Sequence, residues 1–144
     1  MQNPKEPIIV ERVFPTSAVA LWRALTDKDE MKQWYFDLPE FKAEVGFKFT
    51  FTGGASPEKQ YVHLCEVKEV VPCEKLSYSW RYDGYAGDSL VSFELIPQRE
   101  KTLLRLTHSG LHTFPSDNPD LAAHNFEAGW DAIVNQSLLG YVEK

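Results

Sequence analysis

Between residues 44 and 109, hydrophobic side chains recur at every second position. Phe47, Phe49 and Phe51 alternate with Lys48 and Thr50, and Tyr61, His63, Cys65 and Val67 share one face of the next segment. Leu76, Tyr78, Trp80 and Tyr82 alternate with Ser77, Ser79 and Arg81. Val91, Phe93 and Leu95 alternate with Ser92 and Glu94, and Leu104, Leu106 and His108 with Leu103, Arg105 and Thr107. A period of two marks half-buried strands, so this region predicts an antiparallel meander with one apolar and one mostly polar face. Turn segments at 53–58, 72–75 and 97–101 set its register. Pairing Phe51 with Tyr61, Val71 with Leu76, and Leu95 with Thr102 puts Val67 opposite Trp80 and every aromatic row on one side.

Helical spacing brackets the meander. Residues 8–14 form a β-rich run ended by Pro15. Val19, Trp22 and Leu25 then share a helical face behind a Thr16 or Ser17 cap. Asp27-Lys28-Asp29-Glu30 reads as a capping box, Asp27 accepting from the third amide and Glu30 reaching back. A short second helix therefore runs from near Lys28 to near Trp34. Asn118 and Pro119 start a last helix that continues to the C-terminus. Its apolar stripe is Phe126, Trp130, Ile133, Val134, Ser137, Leu138 and Tyr141. Gly129 and Ser137 are small, leaving space or permitting close approach to the sheet. At about 1.5 Å per residue, 119–143 spans roughly 37 Å, enough to cross a sheet. The predicted class is α+β: a curved antiparallel sheet of about six to seven strands around a long C-terminal helix, with two short helices after the first strand.

With 144 residues the chain suits one domain, 1–144. The net charge of −6 and the lack of any Lys/Arg run longer than two argue against a nucleic-acid partner. Met1 to Pro7 is polar and has no signal-peptide core, and no apolar run approaches the ~20 residues of a membrane span. A cytoplasmic location is expected. The register places Cys65 roughly 20 Å from Cys73 at ~3.3 Å per residue, so two free thiols are expected rather than a disulfide.

Candidate chemistry is sparse. His63 and Cys65 share a strand face, and His108 and His112 are four apart at a strand end, but no set of three or four convergent ligands emerges, so no metal and no cofactor is expected. No nucleophile elbow, catalytic cysteine signature or phosphate loop is present. No residue is assigned as catalytic, although an acid–base enzyme using His63, Tyr61 or Glu66 would leave little trace.

Four segments carry a resemblance. "VALWRALTDKDEMKQW" at 19–34, "KLSYSWRY" at 75–82, "TLLRLTHSGL" at 102–111 and "GWDAIVNQSLLGYVEK" at 129–144 follow one another in the order of a known pattern. They are similar to the family homologous to the activator of the ninety-kilodalton heat-shock protein ATPase. Lys28 and Ile133 depart from its usual residues without affecting the fold. The resemblance implies the helix-grip fold of START lipid-transfer domains, birch-pollen-type allergens and polyketide cyclases. It also implies a ligand cavity between sheet and long helix. Phe49, Tyr61, His63, Tyr78, Trp80, Phe93, Phe126, Trp130 and Val134 would face it, and the phenols of Tyr61 and Tyr78 with the imidazoles of His63 and His108 would supply its polar groups. Trp34 opens an apolar loop, Trp34 to Pro39, that caps the core or lids the mouth. The same rings would also serve as plain core packing. A small apolar molecule is the expected partner, with a chaperone or a cyclase-like activity as alternatives, on a monomer or homodimer. Chaperone-activating relatives usually carry a second, N-terminal domain for which 144 residues leave no room, which counts against the chaperone.

Overall fold

A computed structural model describes residues 7–35, 40–56, 59–114 and 123–142. Strand β1 (Ile8–Phe14) leads into helices α1 (Ala18–Thr26) and α2 (Lys28–Trp34). Five strands follow: β2 (Lys48–Ser56), β3 (Lys59–Val71), β4 (Lys75–Tyr82), β5 (Ser89–Gln98) and β6 (Lys101–Ser109). Ser17 is the cap of α1, its hydroxyl accepting from the Ala20 amide at 3.1 Å. Replacing it with alanine orphans that donor, and Ser17→Ala is expected to cost about 1 kcal/mol in urea unfolding. The capping box on α2 is only half formed. Asp27 accepts from the Asp29 amide at 2.9 Å, one position earlier than expected, and its own amide donates to the Arg23 carbonyl. Glu30 instead accepts from the Tyr141 hydroxyl at 2.9 Å, which ties α2 to the C-terminal end of the chain.

The six strands form one sheet in the order β1-β6-β5-β4-β3-β2, every pair antiparallel. Its register differs from expectation by even steps in two hairpins. Phe51 faces His63 rather than Tyr61, because β2 runs on through Gly53 and Gly54 to Ser56. Leu95 faces Leu104 rather than Thr102, because the turn shrinks to Arg99 and Glu100, with Arg99 at a left-handed φ of 61°. Polar and glycine positions read as turn are thus strand. A two-residue slip leaves each side chain on its expected face. In the β3–β4 hairpin Val71 pairs with Lys75, one residue out of phase. An extra residue, Lys68, lies between Val67 and Glu69, and beyond this bulge Val67 faces Tyr78, not Trp80. The bulge restores the aromatic row to the inner face and bends the strand. Cys65 is buried on β3 and Cys73 lies in the turn, both free thiols.

The C-terminal helix is not one continuous α-helix. Helix α3 (Ala123–Ala132) passes into a π-helical segment (Ile133–Leu138) and then α4 (Leu139–Val142). The expected start at Asn118 and Pro119 lies outside the described residues. Buried positions fall at Phe126, Trp130, Val134 and Leu138, a strict step of four. An α-helix overshoots a full turn by about 40° in four residues, so such a stripe drifts off the sheet. The wider π winding turns less per residue and brings Leu138 back into line. Gly129 and Ser137, expected to face the sheet, are exposed, Gly129 because it falls off the buried stripe of α3 and Ser137 within the π winding, and Ile133 is half-buried. On edge strand β1, Arg12 reaches to the Asn135 side chain at 3.3 Å. No helix among the described residues is long and apolar enough to cross a membrane.

Candidate functional site

The inner face of the sheet and the C-terminal helix meet along a seam of aromatic rings. At its centre Trp130 lies against Trp80 (centroids 5.3 Å apart), His108 (5.8 Å), Phe93 (6.1 Å) and Tyr35 (6.3 Å). Phe126 packs on His108 and, toward one end, stacks on Phe114. Val134 is fully enclosed. Through these contacts the described part of the helix rests directly on β4, β5 and β6.

Polar atoms inside the seam form a chain with every proton assigned. The indole N–H of Trp130 can only donate, and it donates to His108 Nδ1 at 2.8 Å. His108 therefore carries its proton on Nε2 and donates to Ser89 Oγ at 2.8 Å, and Ser89 donates to the Trp80 carbonyl at 2.7 Å. Ser89 is oriented away from nucleophilic use, since its proton points to a backbone oxygen and not to a base. Burial lowers His108 to a pKa of about 3. His63 lies between Phe51 and Trp80, with Nδ1 donating to the Tyr61 carbonyl at 3.0 Å. Burial lowers it to about 4, against the raising effect of its backbone hydrogen bonds. Burial raises the Cys65 thiol and the phenols of Tyr35, Tyr78 and Tyr82. All these groups are thus neutral at physiological pH.

Of the residues singled out from sequence, the structure gathers Phe49, His63, Tyr78, Trp80, Phe93, His108, Phe126, Trp130 and Val134 into this buried set. Trp34 is buried beside it, its indole donating to the Ala24 carbonyl at 2.9 Å and its ring stacked on Tyr35. Tyr61 is half-buried and packs against Tyr82 and Tyr85, toward the end of the sheet. Phe36 to Pro39, the rest of the expected cap or lid, lie outside the described residues. No group of three or more His, Cys, Asp or Glu residues among the described ones could hold a metal ion.

Sequence reasoning passed over Tyr35 as a site residue. It closes α2 with a non-helical backbone and turns its ring inward between Phe51 (6.2 Å) and Trp130 (6.3 Å), so that one ring bridges β2 to the helix. Its hydroxyl meets that of Tyr78 at 2.7 Å. Tyr78 is fully buried while Tyr35 is half-buried, so the pair joins the core to the seam's margin. No periodicity marks a residue just past a helix end. Phe51 and Tyr82 were missed despite a signal, since each shares strand parity with a residue that was chosen. A groove of about 200 Å³ lined by residues such as Lys68, Ser79, Leu90 and Ser109 opens on the opposite, polar face.

This architecture, a curved six-stranded antiparallel sheet closed on a C-terminal helix with two short helices after the first strand, is the helix-grip fold. The chain belongs to the family described as Activator of Hsp90 ATPase homolog 1-like protein, which matches residues 15–143. Among solved structures, protein Mll3558 of Rhizobium loti is similar with a TM-score of 0.82 at 21% identity, over 94% of this chain and 96% of that one. Protein MLL2253 of Mesorhizobium loti is 28% identical with a TM-score of 0.76, over 96% and 97%. DynU16, a putative protein in the dynemicin biosynthetic locus, has a TM-score of 0.79 at 23% identity. That likeness covers 98% of this chain, which spans about half (48%) of DynU16. None of the curated proteins is significantly similar to the chain.

Proposed function

We propose that the chain binds a small apolar molecule in the seam between the sheet and the C-terminal helix, at the place the Tyr35 ring occupies, beside Phe49, Phe51, Tyr78 and Trp130. The observation that carries this reading is Tyr35 itself. Tyr35 follows a helix end, and its ring bridges sheet and helix in the seam between Phe51 and Trp130. Its displacement would open a slot walled by aromatic faces with one polar atom at its base. Ligand sites have that composition. The family's fold supports the reading, as does a π-helical segment in the gripped helix, since such segments occur frequently at functional sites. We take 1–144 as one domain, in line with a core cluster running from Ile8 to Leu138, and a cytoplasmic location, which suits two free thiols.

Native mass spectrometry of freshly purified protein tests the proposal. A fraction of the chain is expected to carry extra mass from a co-purified small molecule, lost on denaturation. A single bare mass, unchanged after incubation with a panel of small aromatic compounds, would count against it. A chaperone partner rests on the family description alone, and stimulation of a chaperone ATPase by the purified chain is the assay that would establish it.

A further inference from the structure

We infer that the seam selects an uncharged ligand bearing one hydrogen-bonding oxygen, with the Tyr78 hydroxyl as the group that reads it; this rests on the ligand-binding reading above. The reasoning starts from what a ligand would displace. The Tyr78 hydroxyl is fully buried and hydrogen-bonds to the Tyr35 hydroxyl at 2.7 Å. If the Tyr35 ring moves aside, that partner leaves with it. A pure hydrocarbon in its place would strand a buried hydroxyl, which is costly. A ligand oxygen within hydrogen-bond reach removes the penalty. The polar atoms nearby offer no equal substitute: Trp130, His108, Ser89 and Trp80 are committed to one another in the chain described above, the Trp80 indole donates to Tyr82 at 2.9 Å, and the Cys65 thiol, close enough to act on the Tyr78 hydroxyl electrostatically, is only a weak hydrogen-bonding group.

Charge is settled by the same surroundings. The buried polar residues among those described are His63, Ser77, Ser79, Ser89, Thr102 and His108, with no lysine, arginine or carboxylate. Among the described buried residues a ligand carboxylate would find no cation and a ligand cation no anion, so either would be desolvated unpaired, which is prohibitive in a dry interior. The buried histidines are neutral, so they supply no counter-charge.

Three probes of one ring system separate the possibilities: naphthalene, 2-naphthol and 2-naphthoate, titrated by calorimetry near neutral pH. Hydrophobic transfer alone favours naphthalene, because burying a hydroxyl costs free energy. The order reverses when a buried partner meets the hydroxyl. 2-Naphthol is therefore expected to bind about fivefold tighter than naphthalene, and 2-naphthoate to show no binding. In Tyr78→Phe, which keeps the ring and the fold, the preference for 2-naphthol over naphthalene should fall to about one or below. Thermal unfolding of the variant checks that it remains folded. Naphthalene binding as tightly as 2-naphthol, a preference unchanged in Tyr78→Phe, or 2-naphthoate binding best would overturn the inference while leaving the seam as a binding site. If none of the three binds, both the seam proposal and this inference fall.

Discussion

Trp130→Ala is expected to destabilise the protein by about 4–8 kcal/mol, read as a lowered urea midpoint with an unchanged slope. Two losses combine. Truncating a fully enclosed tryptophan leaves a large void, a change that costs about 3–5 kcal/mol in a core that relaxes only partly. The indole N–H is also the partner of His108 Nδ1, so the substitution strands a buried acceptor, worth roughly a further 1–3 kcal/mol. Trp130→Phe separates the two, since it restores much of the volume and none of the hydrogen bond. It should recover more than half of the lost stability. A loss of 1 kcal/mol or less for the alanine variant would mean that the helix does not rest on the sheet through this ring. Since total domain stabilities are about 5–15 kcal/mol, the alanine variant stands near the limit of folding.

That contact was legible in the sequence only in part. The period-two rows of β2 to β6 placed the rings on one face correctly, because face depends on parity and both hairpin slips were even. Partner identity was not legible. Gly53 and Gly54 look like turn residues, yet they extend β2, and nothing local announces the Lys68 bulge that rescues the β3–β4 phase. Trp130 and Val134 were recognisable from helical spacing. The π winding that lets Leu138 join them and turns Ser137 outward was not, because it answers to the shape of the sheet beneath. Tyr35 escaped for a similar reason. A residue one step past a helix C-terminus has no periodic neighbours, so only the tertiary structure shows that its ring points inward. The hydrogen-bond chain through Ser89, His108 and Trp130 joins three elements distant in sequence, and each member alone reads as ordinary core.

The second large effect is acid destabilisation through His63 and His108. Both pKa values are depressed in the fold, to about 4 and about 3, by burial. The unfolded chain therefore takes up protons that the folded chain refuses. Their contribution is complete above the ordinary histidine value and declines as pH falls through it toward the folded values. Between about pH 7 and about pH 5 each residue costs roughly 2 kcal/mol, about 4 kcal/mol together, at 1.36 kcal/mol per unit. Unfolding free energies from urea titrations across this range should show that fall, with uptake of about two protons on unfolding near pH 5. A flat profile down to about pH 5 would mean that both imidazoles are solvated or already charged in the folded chain, and a fall of half the size that one of them is.

Binding in the seam is most directly tested by methyl-resolved NMR during titration with 2-naphthol. Aromatic ring currents should shift the buried methyls of Val67, Leu76, Val134 and Leu138, with the exposed methyls of Ile9, Val13 and Val45 unmoved. Shifts confined to the exposed set, or no shift at all with excess probe, would contradict binding between the sheet and the C-terminal helix.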